Sequence, residues 1–398
     1  MSSSISRNPT FTNALLPAGS ARSWKRSNFS FAAPQKHARL CFRSFMKCFF
    51  FNRILPLAVA AFLANVAQGA AATGTLDIYW ADVEGGAGTL IVTPGGESVL
   101  IDTGMPGPRD SKRIYDIANR IAGLKKIDYL IVTHFHMDHF GGAAELAQLI
   151  PIGAVYDNGI PDHDPDGRPD DAAWLKSIKP YREFKSDRRA VIRAGDTLPL
   201  RQPADRPKLM IRCLAAKQRF AAGVSESKPN ALCSESKSKD ADTSDNANSV
   251  VMLLGYGPFD LFVGGDLTWN VEAQLVCPVN RVGSVDVYQV DHHGLDLSNN
   301  PLLVRSLAPT VAIMSNGTEK GCGPETFSTL KATPSIQALY QIHRNLRKDR
   351  EHNTADEFIA NLEANCQANY IKLSVAPDGK NYTVSIPATG HQRTFQSR

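Results

Sequence analysis

Apolar and polar positions along this chain change rhythm several times, and the changes divide it into elements. Leu76–Val83, Thr89–Thr93 and Ser98–Asp102 are short β-rich runs set apart by Gly85-Gly86 and Gly95-Gly96, which predicts three strands joined by turns. From Asp110 to Ala122 the residues Ile114, Ile117, Ala118 and Ile121 recur at helical spacing, so a helix is expected there. Ile127–Thr133 is a mostly apolar strand, and Ala143–Ile150 reads as a helix. The second half repeats the style. Strands are expected at Leu209–Leu214, Ser249–Gly255, Phe259–Val263, Val285–Val290 and Thr310–Met314, with helices at Trp269–Val276 and Glu325–Ala332. Two mixed sheets covered by helices bury most of these faces. The expected fold class is α/β (α+β), a four-layer αββα sandwich.

Two regions break the rhythm. Phe220–Asn248 is rich in Ser, Lys, Asp and Asn and almost lacks large apolar residues, so residues 220–248 are expected to form a long, flexible surface loop. Ahead of the first strand, Lys47 and Arg53 supply a positive start, Ile54–Val66 an apolar run and Ala67–Ala72 small residues suited to cleavage. Residues 46–72 therefore read as a signal peptide. Residues 1–45 are Ser-, Arg- and Asn-rich without periodicity, and read as a non-native extension ahead of a true start at Met46. The alternative is a transit-like leader, which an Arg/Ser-rich, acid-free stretch also resembles. Export to a secreted or periplasmic location is the expectation, with residues 73–398 as the folded domain.

Charge changes meaning once the leader is set aside. The chain is formally +5, but residues 1–74 hold nine of its 44 basic residues and none of its 39 acidic ones. The remainder carries 35 basic residues against 39 acidic, about −4. Such a balance supplies no overall basic field, so strong nucleic-acid binding is not expected. No run of 18 apolar residues occurs, which excludes a multi-pass membrane protein and leaves no transmembrane domain in the mature chain. Cys213, Cys233, Cys277, Cys322 and Cys366 show no CxxC spacing; one or two disulfides with an odd thiol left over are expected on export.

The chemistry concentrates at His134-x-His136-x-Asp138-His139, directly after the apolar run 127–133. Three imidazoles and a carboxylate in six residues, in a loop at a strand end, make a site for a borderline metal such as zinc. Further carboxylates and imidazoles stand at other strand ends: Asp266 after Val263-Gly264-Gly265, His292 and His293 in Asp291-His292-His293-Gly294, and Asp102 in Ile101-Asp102-Thr103-Gly104. Asp102 is better read as an outer partner that orients a His ligand. The stretch Asp162–Gly167 imitates the start of a calcium loop but has Ala173 where the closing Glu belongs, so a solvated turn around His163 is expected. His343 is as readily a structural histidine as a pocket residue, and the loop from Asn316-Gly317 to Gly323 is placed to line a substrate site.

The succession IDTG, THFHMDH, GGD, HHG resembles the metallo-β-lactamase superfamily over about residues 75–316. Within it, Asp82-Val83-Glu84-Gly85-Gly86 and Asn248–Val251 together with Asp291–Gly294 look like the ComEC-type extracellular hydrolase domain and the bacterial phosphorylcholine esterases. The resemblance implies the metallo-β-lactamase fold and a hydrolase with two divalent metal ions, zinc first, with manganese or iron possible. His134 and His136 would bind the first ion, Asp138 and His139 the second. Asp266 would bridge them, His292 would join the second, and His293 would face the substrate as an acid. Many members add a His from before the GGD strand, whereas Asp242–Ser249 has none; Asp245 or Asn246 could supply an oxygen instead. Hydroxide activated by the two ions and positioned by Asp138 would then attack a small-molecule or cell-envelope substrate. A phosphodiester is the first expectation. Carboxylic esters, lactones or β-lactams are the second, and a non-catalytic exported metal-binding domain the third.

Overall fold

The structure, a computed structural model, describes residues 74–222 and 229–398. The expected leader segments, 1–45 and 46–72, lie outside the described residues, as do residues 223–228 of the polar segment. Six strands come first: β1 (Leu76–Trp80), β2 (Thr89–Val92), β3 (Ser98–Ile101), β4 (Ile127–Ile131), β5 (Ile152–Asp157) and β6 (Arg188–Val191). Eight build the second sheet: β7 (Leu209–Ala216), β8 (Arg219–Phe220), β9 (Val251–Tyr256), β10 (Phe259–Val263), β11 (Val287–Gln289), β12 (Val311–Met314), β13 (Ala338–His343) and β14 (Ile359–Asn361). The chain then returns to the first sheet with β15 (Ile371–Val375), β16 (Asn381–Ile386) and β17 (His391–Gln396). The nine-stranded sheet runs β17-β16-β15-β1-β2-β3-β4-β5-β6 and the eight-stranded one β14-β13-β12-β11-β10-β9-β7-β8. Both are mixed: β3 to β6 and β10 to β14 pair in parallel, and the other pairs are antiparallel.

Period-two alternation explains the four layers. In β9, Met252, Leu254 and Tyr256 face the core between the sheets, while Val251 and Leu253 face helices on the outside. In β1, Leu76, Ile78 and Trp80 face the same inter-sheet core and Tyr79 faces outward. Helices α1 (Pro108–Tyr115), α2 (Met137–Phe140), α3 (Ala143–Leu149) and α4 (Asp171–Glu183) belong to the outer side of the first sheet. Helices α5 (Trp269–Val276), α6 (Pro301–Leu307) and α7 (Pro324–Ala332) cover the second. One buried polar tie joins the sheets: Gln289 Oε1 of β11 accepts from Trp80 Nε1 at 2.7 Å and from Thr89 Oγ1 at 2.9 Å.

The fold is thus the αββα sandwich, with local departures from the pattern-based reading. The helix expected over Asp110–Ala122 begins at Pro108, whose missing N–H costs nothing in a first turn, and continues past α1 as a π-helical segment, Asp116–Ile121. Residues 229–248, expected as a free loop, are fastened at several points. Cys233 is disulfide-bonded to Cys277, Trp269 Nε1 donates to Lys237 O at 2.7 Å, and Asp245, Asn246 and Ala247 are buried in a short turn. One disulfide and three free thiols, Cys213, Cys322 and Cys366, occur among the described residues. No helix among them is long and apolar enough to cross a membrane.

Candidate metal centre

The chemistry-bearing residues collect where four strands end. Asp102 follows β3, the His134–His139 segment follows β4, Asp266 follows β10, and His292 and His293 follow β11. Strands β3 and β4 are parallel neighbours in one sheet, β10 and β11 in the other. Their carboxyl ends open on one crevice, the usual place for a site in such sheets. The backbone there is strained. Asp102, His292 and His293 adopt φ of 62°, 53° and 55°, a left-handed region that costs a non-glycine residue free energy. Local hydrogen bonds hold it: His292 N donates to Gly265 O at 2.9 Å, and Cys322 N donates to His293 O at 3.1 Å.

Asp266 is the hub. Its Oδ2 lies 3.2 Å from His139 Nε2, 3.3 Å from His293 Nε2, 3.4 Å from His292 Nε2 and 4.0 Å from His134 Nε2. Asp138 Oδ2 joins the same group, 3.2 Å from His293 Nε2 and 3.5 Å from His139 Nε2. The ligand atoms of Asp138, His139, Asp266 and His293 all lie within 4.8 Å of one another. Two carboxylates and two imidazoles at that spacing suit one divalent cation. His134 and His136 stand beside them, with the His134 ring centroid 4.1 Å from the tilted ring of His139 and 4.7 Å from the edge-on ring of His136.

Outer partners decide which nitrogen of each ring is free. Asp102 Oδ2 holds His139 Nδ1 at 2.8 Å while accepting from Thr133 Oγ1 at 2.8 Å, and its Oδ1 accepts from Thr133 N. His293 Nδ1 lies 3.2 Å from Ser315 O, a carbonyl that only accepts, so the lone pair sits on Nε2 and faces the cluster. His292 Nδ1 meets Ser298 Oγ at 3.1 Å. His136 differs: its Nε2 is taken by Asp166 Oδ1 at 2.8 Å, which leaves Nδ1 as the donor atom.

A metal fits these residues on an observation independent of spacing. His134 Nε2 is wholly buried and has no hydrogen-bond partner, an arrangement that costs free energy unless something coordinates it. Charge agrees. Burial disfavours the imidazolium of His139, but Asp266, Asp138 and Asp102 outweigh it and hold its pKa well above the ordinary histidine value. Burial likewise opposes ionised Asp266, yet His139, His293 and His292 hold its pKa well below the carboxylate range. Imidazole ligates only when neutral. A divalent ion must therefore expel a proton from His139 at neutral pH, and binding weakens as pH falls. Calorimetric zinc titration near pH 7, in buffers of different ionisation enthalpy, is expected to show net proton release; buffer-independent heats would contradict it.

Several residues stand elsewhere than their expected roles would put them. His292 was expected as the ligand beside Asp138 and His139, with His293 facing the substrate. The left-handed turn instead brings His293 Nε2 into the four-donor group, while His292 Nε2 approaches Asp266 alone. Burial pushes the His292 imidazole down to about 4, so it is neutral at physiological pH. Asp245 spends both oxygens on protein, accepting from Phe135 N at 2.7 Å and Asn248 Nδ2 at 3.1 Å. Asn246 Oδ1 is buried without a partner and keeps its acceptor capacity. His163 is exposed on Asp171, and His343 is buried on Asp82 at 2.6 Å, so neither joins the centre. Two participants escaped the sequence reading. Asp166 lay in the stretch that imitates a calcium loop, a signal of acidity without direction. Lys320 Nζ lies 2.5 Å from Asp138 Oδ2, and no motif marks it.

The chain is similar in part to several known proteins. Residues 82–208 match the family model of the Metallo-beta-lactamase superfamily. A UPF0173 metal-dependent hydrolase of Polynucleobacter asymbioticus is 38% identical over 95 residues, 24% of this chain and 32% of that protein. A second, from Cupriavidus taiwanensis, is 35% identical over 104 residues, 26% of this chain and 34% of its own. The chain thus spans about a third of the length of these relatives. Among solved structures, a diphosphatase from the PhnP family aligns at TM-score 0.34 and 13% identity, covering 63% of this chain and 80% of that one. CmlA, a diiron β-hydroxylase from Streptomyces venezuelae, aligns at TM-score 0.34 and 16% identity, covering 62% and 45%.

Proposed function

We propose that this protein, whose fold and motif order are those of the metallo-β-lactamase superfamily, is an exported metal-dependent hydrolase of small phosphodiesters. The observation that carries the reading is Asp266, whose one carboxylate oxygen faces the Nε2 atoms of four histidines at 3.2–4.0 Å. A carboxylate so surrounded is arranged to be shared between two cation subsites. Asp138, His139 and His293 would complete one, His134 and His136 the other. Divalent ions there, zinc first with manganese or iron as alternatives, would lower the pKa of water and polarise the bond under attack.

The chain's own residues supply the rest. Asp138 is the more exposed of the two cluster carboxylates, 16% against 3% for Asp266, so it is the one placed to accept a hydrogen bond from attacking water. Beside it opens a cavity of about 420 Å³ lined by Phe135, His136, Met137, Asp166, Arg168 and Trp174, among others. That volume suits a small organic molecule. Export is supported by the signal-like segment 46–72 and by the Cys233–Cys277 disulfide, a bond favoured outside the reducing cytosol. The balance of about −4 outside the leader gives no support for nucleic-acid binding.

The competing substrates are carboxylic esters, lactones and β-lactams, and the competing class is a metal-binding domain without turnover. Metal-loaded protein assayed with bis(p-nitrophenyl) phosphate, an acyl lactone and a chromogenic cephalosporin separates them. The phosphodiester is expected to be turned over with the largest kcat/KM. A preference for the lactone or cephalosporin would move the substrate class, and fully loaded protein inert toward all three would leave only the binding role.

A further inference from the structure

The loop after β12, residues 316–323, is built into the metal centre from behind. Gly317 N donates to Lys320 O at 2.9 Å, closing a turn, and Cys322 N donates to His293 O at 3.1 Å. Arg347 fixes the far side, donating to Gly321 O at 2.7 Å and Cys322 O at 3.0 Å. Lys320 leaves this braced turn and reaches Asp138 Oδ2 at 2.5 Å. Among the described residues no other Lys or Arg pairs with a carboxylate of the four-donor group. Its side chain is 39% exposed, so the residue stands partly in solvent beside Asp138 rather than enclosed by the centre.

The opening turn at Asp82–Gly86 is shaped to admit that side chain. Gly85 has φ +90°, and a Cβ there would stand 3.0 Å from Lys320 Cβ and 3.4 Å from its Cδ. A Cβ at Gly86 would stand 2.7 Å from Asp138 O, so both glycines are required by close approach. Lys320 and Asp138 are thus held together by two interlocked loops.

The Asp138 carboxylate already stands between this ammonium and the other metal donors, but an ammonium has three N–H donors, and those Asp138 does not take favour an anion held beside a cation site. A phosphoryl oxygen is such an anion, and one held by metal at Asp138 would lie within reach of the Lys320 ammonium. We propose that Lys320 is a substrate-binding residue that holds a non-bridging oxygen of a phosphoryl group beside the metal centre. This rests on the hydrolase reading above and deepens it, since a neutral ester or lactone has no charge to offer.

The test uses inorganic phosphate as probe, with Lys320→Met and Lys320→Arg made in the full chain and loaded with zinc. Phosphate binding is read by calorimetry, without turnover, and zinc content by mass spectrometry. Lys320→Met is expected to keep the parent's zinc content and to bind phosphate at least tenfold more weakly, with Lys320→Arg recovering part of the loss. On substrates, the ratio of kcat/KM for bis(p-nitrophenyl) phosphate to that for p-nitrophenyl acetate should fall at least tenfold in Lys320→Met. Unchanged phosphate affinity, or loss of zinc, would show a structural lysine and overturn the proposal. So would acetate competing for the parent as well as phosphate does. If the parent turns over no phosphodiester yet Lys320→Met still loses phosphate, the hydrolase reading fails and the anion site stands.

Discussion

Asp266→Ala is expected to abolish hydrolysis of every substrate class and to drop bound metal well below the parent's. The carboxylate faces the Nε2 atoms of His134, His139, His292 and His293, so its removal would take an oxygen from both proposed cation subsites at once. It also leaves four imidazoles, all buried and mutually close, with no central negative charge. Truncating one partner of a buried charged network costs about 3–5 kcal/mol, the equivalent of about two to three and a half orders of magnitude in affinity. The folded chain should survive, because Asp266 is small and follows the last residue of β10 rather than filling the inter-sheet core. Metal content by mass spectrometry beside kinetics checks this, with circular dichroism as the control for folding. Two bound metals and full activity in Asp266→Ala would refute the shared-carboxylate centre.

Much of this site was legible because its residues sit in compact motifs at strand ends. His134, His136, Asp138 and His139 fall within six consecutive positions, and strand packing does not ask for any of them. The same holds for Asp266 after Gly264-Gly265 and for Asp102, whose place beside His139 follows from a carboxylate at the end of a neighbouring parallel strand. What stayed hidden depends on contacts across the chain. Lys320 reaches Asp138 from a loop that follows β12, and Asp166 reaches His136 from the loop before α4; both are ordinary surface residues by type. The last strands were equally hard to read. β15 inserts beside β1 from the far end of the chain, a pairing that no local pattern announces. The roles of His292 and His293 turn on two left-handed residues in succession. Periodicity carries no signal for that conformation, so the sequence pattern does not show which of two adjacent histidines points at the cluster.

That pair supplies the second large effect. His293→Ala should bind close to one metal per chain and lose turnover by about a hundredfold or more, whereas His292→Ala should keep metal content nearer the parent's. The asymmetry follows from the rings' surroundings. His293 Nδ1 is committed to Ser315 O, and its Nε2 meets both Asp138 and Asp266 at 3.2–3.3 Å. His292 Nε2 meets only Asp266 of the two cluster carboxylates, at 3.4 Å, and the ring is neutral through burial. Loss of an outer partner of a metal ligand alone typically costs 10–100-fold in metal affinity or activity, so loss of the ligand itself should exceed that. Asp102→Asn supplies the outer-partner comparison: it weakens the hold on His139 Nδ1 without removing a donor atom, and should fall in the 10–100-fold range. Cobalt substitution gives a readout besides turnover, because the visible spectrum of the ion follows its ligand number and type. His293→Ala and parent should differ in that spectrum, with His292→Ala closer to parent. If His292→Ala loses the metal while His293→Ala keeps it, the ligand of the pair is His292, and the geometry of the left-handed turn does not describe the loaded protein.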